Sequence, residues 1–169
     1  MAADIANVEM GVCTVTFDDV DLGHTKGGCL VSYAPDVHKV TVDKYGSTPA
    51  KMILIGERLT VKVPLAEATL ANIMVAIPGS TDATDAATIG RSSGFDLSTV
   101  AATLVLHPIA NEASDRSEDV VLYKAVAVEQ VEIPFLFDGE RVIEVTFEAM
   151  IDETQSDGSY LGLIGDSDA

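Results

Sequence analysis

Apolar and polar residues alternate along several stretches of the chain. Residues 37–44, 58–63 and 143–149 each place apolar side chains on one face and polar side chains on the other. This period of two is typical of half-buried β-strands. Four further stretches are strand-like by content: residues 11–17, 29–33, 102–107 and 120–129. Seven short strands in one chain predict a mainly β protein, a β-sandwich or barrel-like fold.

One stretch has a helical period instead. Between Pro64 and Pro78, apolar residues recur at the spacing of one helix face: Ala66, Leu70, Ile73 and Ile77. Glu67 falls where an acid favours the positive end of a helix, and Pro78 followed by glycine ends the pattern. We therefore predict one amphipathic helix over residues 65–77, with its apolar face packed against the sheet.

The segments between these elements predict turns and loops. Strands 37–44 and 52–63 flank a Gly/Ser/Pro loop, which indicates a long β-hairpin with a polar tip. A glycine-rich turn over residues 21–28 predicts a second hairpin, between strands 11–17 and 29–33. Residues 79–98 and 108–119 have no periodicity and are expected to be mobile tips or contact surfaces.

The chain is strongly acidic, and the acid is unevenly distributed. Its 169 residues carry a formal net charge of −17, and residues 80–169 alone hold 18 acids against 4 bases. Proteins that grip nucleic-acid phosphates cluster lysine and arginine, so this balance argues against that class. Four glutamates stand on or beside predicted strands: Glu129, Glu132, Glu144 and Glu148. Their simplest interpretation is a solvated sheet face.

No combination of residues predicts catalysis. The sequence lacks the GxSxG, HExxH, P-loop and GxGxxG motifs, and its three histidines are not at metal-ligand spacing. We expect no enzyme activity, metal or cofactor, and no membrane insertion, because no apolar run approaches 20 residues. Cys13 and Cys29 are interpreted as reduced, packed thiols, with a disulfide between them as the alternative.

Three stretches in the first half of the chain carry a family resemblance. They are LGHTKGG at residues 22–28, VDKYGSTP at residues 42–49 and LAEATLANI at residues 65–73. In this order they resemble the major tail tube proteins of long-tailed bacteriophages, over roughly residues 10–80. His24 departs from the pattern, because an aromatic residue is more usual there.

The resemblance implies a tail-tube fold, in which six subunits form a ring and stacked rings form the conduit for DNA ejection. It implies that the hairpin joins subunits or rings through its tip: Tyr45, Gly46, Ser47, Thr48, Pro49 and Lys51. A second contact loop would include Thr84, Arg91 and Phe95. The implied partners are other copies of the chain, tape-measure, baseplate and tail terminator proteins, and DNA in transient passage without specific binding. The protein would be assembled in the bacterial cytoplasm and reside in the virion tail.

In such a tube the four glutamates acquire a second interpretation, as lumenal acids that repel DNA phosphates. We expect residues 1–169 to form a single domain with flexible ends at 1–8 and 152–169. Alternative structural roles are a tail terminator, a capsid decoration protein and the inner tube of a contractile secretion system. An adhesion or carbohydrate-binding module is disfavoured because the chain has no tryptophan and few aromatic residues.

Overall fold

The computed structural model of the chain describes residues 11–166, which are built mainly from antiparallel β-strands. The described part of the chain contains ten strands: β1 (Cys13–Phe17), β2 (Val20–Asp21), β3 (Leu30–Thr41), β4 (Pro49–Leu65), β5 (Thr81–Ala83), β6 (Ala86–Thr88), β7 (Ala102–Pro108), β8 (Val120–Ala127), β9 (Ile143–Ala149) and β10 (Gly162–Ile164). One α-helix, α1 (Leu70–Ala76), and two 3₁₀ turns, Asp43–Tyr45 and Leu97–Thr99, complete the described elements. The prediction of a mainly β fold with one helix is confirmed.

Eight of the strands belong to one sheet. Seven follow the order β2-β1-β7-β8-β9-β4-β3, and β10 pairs with the first residues of β8. Every pairing in the sheet is antiparallel. Strands β5 and β6 form a separate two-stranded ribbon.

The sheet curls so that its two halves enclose one core. The ring centroids of Phe17 on β1 and Phe147 on β9 lie 5.3 Å apart, although β7 and β8 separate these strands in the sheet. On β9 the buried residues Ile143, Val145 and Phe147 alternate with more accessible ones, as the period of two predicts. The inward-facing residues of β1, β4, β7, β8 and β9 form one apolar cluster, which is the arrangement of a sandwich-like fold.

The prediction of a hairpin at the glycine-rich turn is wrong. Strand β1 pairs instead with β2, through a two-residue turn in which Asp18 and Asp19 have φ values of 52° and 60°. The chain after β2 runs beside the end of β4, where Lys26 N–H donates to the Pro64 carbonyl at 3.0 Å. Hydrogen bonding to β4 therefore replaces the expected pairing of β1 with β3.

The helix begins five residues later than predicted. Pro64 and Leu65 continue β4 and pair with β9, so the start of the helical pattern is used as strand. The hydroxyl of Thr69 accepts a hydrogen bond from Asn72 N–H at 3.2 Å and caps α1. Glu67 therefore lies ahead of the helix, and its carboxylate accepts a hydrogen bond from His24 N–H at 2.9 Å.

The long hairpin predicted over residues 37–63 is confirmed and is longer, because its strands span Leu30–Thr41 and Pro49–Leu65. Strands β3 and β4 stay paired from Leu30 opposite Lys62 to Thr41 opposite Pro49. Beyond Ala34 and Arg58 no other strand within residues 11–166 pairs with the ribbon, and nearly all of its residues are exposed. We call residues 34–58 the hairpin arm.

The remaining segments differ partly from expectation. Residues 79–98, predicted to be irregular, contain the β5–β6 ribbon, whereas residues 109–119 contain no strand or helix. The C-terminal end predicted to be flexible contains β10, which pairs with β8. The predicted flexible N-terminal end, residues 1–8, lies outside the described residues, as do residues 167–169.

Candidate functional site

The tip of the hairpin arm is a tight, solvent-exposed turn. Tyr45 N–H donates to the Val42 carbonyl at 3.0 Å, and Thr48 N–H donates to the Tyr45 carbonyl at 3.2 Å. Gly46, with φ of 61°, ends the 3₁₀ turn where a side chain would be strained. The predicted contact residues therefore lie together on and just after this turn: Tyr45, Gly46, Ser47, Thr48, Pro49 and Lys51.

The arm also carries an apolar run that the tip prediction did not include. Met52, Ile53, Leu54 and Ile55 are consecutive on β4, and each has between 41% and 63% of its surface exposed. Because neighbouring strand residues point to opposite sides, the run places apolar surface on both faces of the ribbon. An isolated two-stranded ribbon is marginally stable in water, so this surface indicates a contact with another molecule.

The residues predicted as a second contact loop do not form one cluster. Arg91 donates from Nε to the Gly79 carbonyl at 2.6 Å and from Nη2 to the Thr81 hydroxyl at 3.1 Å. Its guanidinium lies 5.1 Å from the centre of the Phe95 ring. Arg91 and Phe95 thus contact each other near the start of the β5–β6 ribbon, and Arg91 connects the loop to it. Thr84 lies instead in the turn between β5 and β6.

The four predicted acids surround one outer surface of the sheet. Glu144 and Glu148 lie on the same face of β9, opposite the core. Glu132 lines a cleft of about 460 Å³ together with Glu144. Glu129 is near enough to Arg58 to contribute to its electrostatic environment.

Bases from β4 neutralise part of this surface. Lys62 pairs with Glu144 at 2.7 Å, and Arg58 pairs with Glu148 at 2.6 Å. The hydrogen bond and charge of Glu148 raise the pKa of Arg58 above its ordinary value. Glu129 and Glu132, in the loop after β8, form no ion pair within residues 11–166. They therefore carry the negative charge of this surface that no base neutralises.

The two cysteines meet at the seam between β1 and the start of β3. Both are free thiols, and each affects the pKa of the other. Donation from Cys29 lowers the pKa of Cys13 to about 7, and the same contact, with burial, raises the pKa of Cys29. A thiol with a pKa near 7 is partly deprotonated at neutral pH, and the thiolate is the form that reacts with electrophiles.

One polar pair is partly buried where β7 ends and β8 begins. His107 Nδ1 and Asp119 Oδ1 lie 2.6 Å apart, and Asp119 is almost completely buried. Among the described residues no three His, Cys, Asp or Glu side chains are grouped so that they could hold a metal ion. Across residues 11–166 there is no helix of the length and apolar character needed to cross a bilayer.

The loop between β8 and β9 carries a feature that sequence reasoning missed. Phe135, Leu136 and Phe137 are 82%, 59% and 105% exposed, so three consecutive large apolar side chains project into solvent. The available signal was an apolar run between Pro134 and the turn-forming Asp138-Gly139 pair. Such a run is equally typical of a short buried strand, so its pattern gave no reason to expect exposure.

Comparison with known proteins adds no relative to these observations. The sequence matches no family model, and no curated protein matches it significantly. What the chain does is therefore inferred from its surfaces and from the three stretches in its first half.

Proposed function

We propose that the protein is a self-assembling structural subunit, whose rings stack into the tail tube of a long-tailed bacteriophage. The ring of six, the virion location and the passage of DNA follow from the resemblance carried by residues 22–28, 42–49 and 65–73. The tape-measure, baseplate and tail terminator partners have the same basis. Self-assembly has independent physical support in the exposed apolar surfaces.

The single observation that supports assembly most is the hairpin arm. It extends from the sheet as a two-stranded ribbon, with four consecutive apolar residues exposed on β4. Among the described residues, no third strand or helix packs on the ribbon, so in a monomer these side chains are left largely in water. Contact with a neighbouring copy removes this apolar surface from water, and ring formation uses surfaces that are a liability in the monomer.

The charge distribution is compatible with a conduit. If the outer face of β9 lines the lumen, Glu129 and Glu132 present unpaired carboxylates there, while Lys62 and Arg58 are held by Glu144 and Glu148. Bases engaged in this way are less available to phosphates, so passing DNA releases fewer counterions and binds weakly. Only acids within about 8 Å of the phosphates contribute much at physiological salt.

Sedimentation velocity over a wide concentration range tests the proposal. We expect a monomer at low concentration and cooperative growth into species of at least six copies as concentration rises. A chain that sediments as a monomer at every accessible concentration contradicts self-assembly. A single ring that never stacks favours a tail terminator over a tube.

A further inference from the structure

A second exposed apolar feature lies at the other end of the molecule from the arm. Phe135, Leu136 and Phe137, which we call the aromatic knob, form the tip of the loop between β8 and β9. Large aromatic side chains each bring roughly 150–250 Å² into a contact, so the knob offers on the order of 400 Å² of apolar surface. That is about half of what one partner contributes to a standard protein interface.

The loop holds the knob in a defined position. The Arg141 guanidinium lies 4.5 Å from the centre of the Phe135 ring, and Lys26 forms an ion pair with Glu140. Val131 and Ile133, before the knob, pack against the core. These contacts on both sides of the knob restrict the loop, which lowers the entropy cost of binding a partner.

A groove of suitable character lies beside the base of the arm. It has a volume of about 480 Å³ and runs between the arm and the C-terminal segment 157–164. Its apolar lining includes Tyr33, Leu54, Leu59, Tyr160, Leu161 and Ile164. We call it the C-terminal groove.

The knob cannot reach the groove of its own chain. The groove adjoins β10, which pairs with β8 at Val120, whereas the knob follows the other end of β8 after Ala127. Eight strand residues separate these ends by about 26 Å. The two features therefore lie at opposite ends of the sheet and can meet only between two copies.

One base beside the knob can pair with acids of the groove. Arg141, at the knob, forms no ion pair with any residue of the described chain, and its Nε is buried without a hydrogen-bond partner there. The groove includes the carboxylates of Glu57 and Asp157, neither of which is ion-paired within residues 11–166. An arginine arriving with the knob would meet these acids, which favours a second copy of this acidic chain as the occupant.

We propose that the aromatic knob of one copy occupies the C-terminal groove of the next, so that copies join head to tail. This inference rests on the proposed self-assembly and names the contact through which it occurs. A head-to-tail contact uses two different surfaces, so each copy keeps a free knob and a free groove until the assembly closes or grows.

Mixing two complementary variants tests this contact. The knob variant is Phe135→Ser with Phe137→Ser, and the groove variant is Tyr160→Ser with Ile164→Ser. Each should raise the critical concentration for assembly about 30-fold, as expected for aromatic anchors of an interface. At concentrations where each variant alone stays monomeric, an equimolar mixture should give a 1:1 heterodimer by light scattering, because one intact knob and one intact groove remain to form a single contact.

The control is Val20→Ser with Ile109→Ser, which removes exposed apolar residues from outside both features. Circular dichroism and thermal melting establish that every variant is folded. A wild type that never assembles contradicts the proposed function. A wild type that assembles, with a knob variant that assembles equally well or a mixture without heterodimer, overturns the knob-and-groove contact alone.

A charge exchange gives a second measurement that does not alter the apolar residues. Arg141→Glu should weaken assembly, and Glu57→Arg in the mixed partner should restore it. If Arg141→Glu assembles like the wild type, or if Glu57→Arg does not restore the weakened assembly, Arg141 does not face Glu57 of the groove and the proposed orientation is wrong.

Discussion

Removing apolar surface from the hairpin arm should weaken assembly without weakening the fold. Val37 and Met52 lie on the same face of the ribbon, because Val37 pairs with Leu54 and Lys39 pairs with Met52. We consider the double change Val37→Thr with Met52→Thr. Threonine retains the strand propensity of the positions and replaces apolar surface with a hydroxyl.

The size of the effect follows from the exposed fractions. Val37 and Met52 are 38% and 59% exposed, so together they offer about the surface of one fully exposed side chain. Burying such a side chain contributes about 1.5–3 kcal/mol, and threonine retains part of its apolar contact. A loss of about 1.4 kcal/mol per contact raises the critical concentration about tenfold.

Static light scattering against protein concentration measures this change. Val20→Thr with Ile109→Thr is the matched control, because these residues are similarly exposed but lie away from the arm. The control should assemble at the wild-type concentration. If the arm variant also assembles within twofold of the wild-type concentration, with an unchanged melting temperature, the arm is not an assembly surface.

Three further predictions concern the fold and the thiols. Phe147 lies in the centre of the core, and Phe147→Ala should lower the free energy of unfolding in urea by about 3–5 kcal/mol. A loss below about 1 kcal/mol would mean that the sheet does not curl around this residue. Asn72→Ala removes a buried amide that donates to two backbone carbonyls at 2.8 Å, and should lower the free energy of unfolding by about 1–3 kcal/mol in the same assay. An unchanged free energy of unfolding would show that these carbonyls find other donors. Alkylation of Cys13 by iodoacetamide, followed by peptide mass spectrometry, should have a midpoint near pH 7, because Cys29 donates to the thiolate. Cys29→Ala should move that midpoint to higher pH, and an unmoved midpoint would show that Cys29 does not lower the pKa of Cys13.

Strands that pair on both sides were predictable, because one face of each is buried. The alternation over residues 143–149 coincides with β9, and residues 102–107 fall within β7. The start of the helix was not predictable from periodicity, because residues 64 and 65 also suit a strand. Pairing with β9 decided between the two, and that contact is made by residues almost 80 positions later.

The exposure of apolar runs could not be predicted from the sequence. Residues 52–55 and 135–137 have the composition of buried strands, and only the absence of a covering element within the described chain shows them to be in solvent. The ion pairs of the sheet could not be predicted from the sequence either. The sequence placed Glu144 and Glu148 on one strand face, but the register of β9 against β4 determines that Lys62 and Arg58 meet them.

Negative-stain electron microscopy of the purified wild-type chain measures directly whether it forms rings and tubes. We expect rings of six copies with an open centre at moderate concentration, and stacked rings forming hollow tubes at high concentration. Fields that contain only monomers at every concentration, or only irregular aggregates without a central channel, would contradict this expectation.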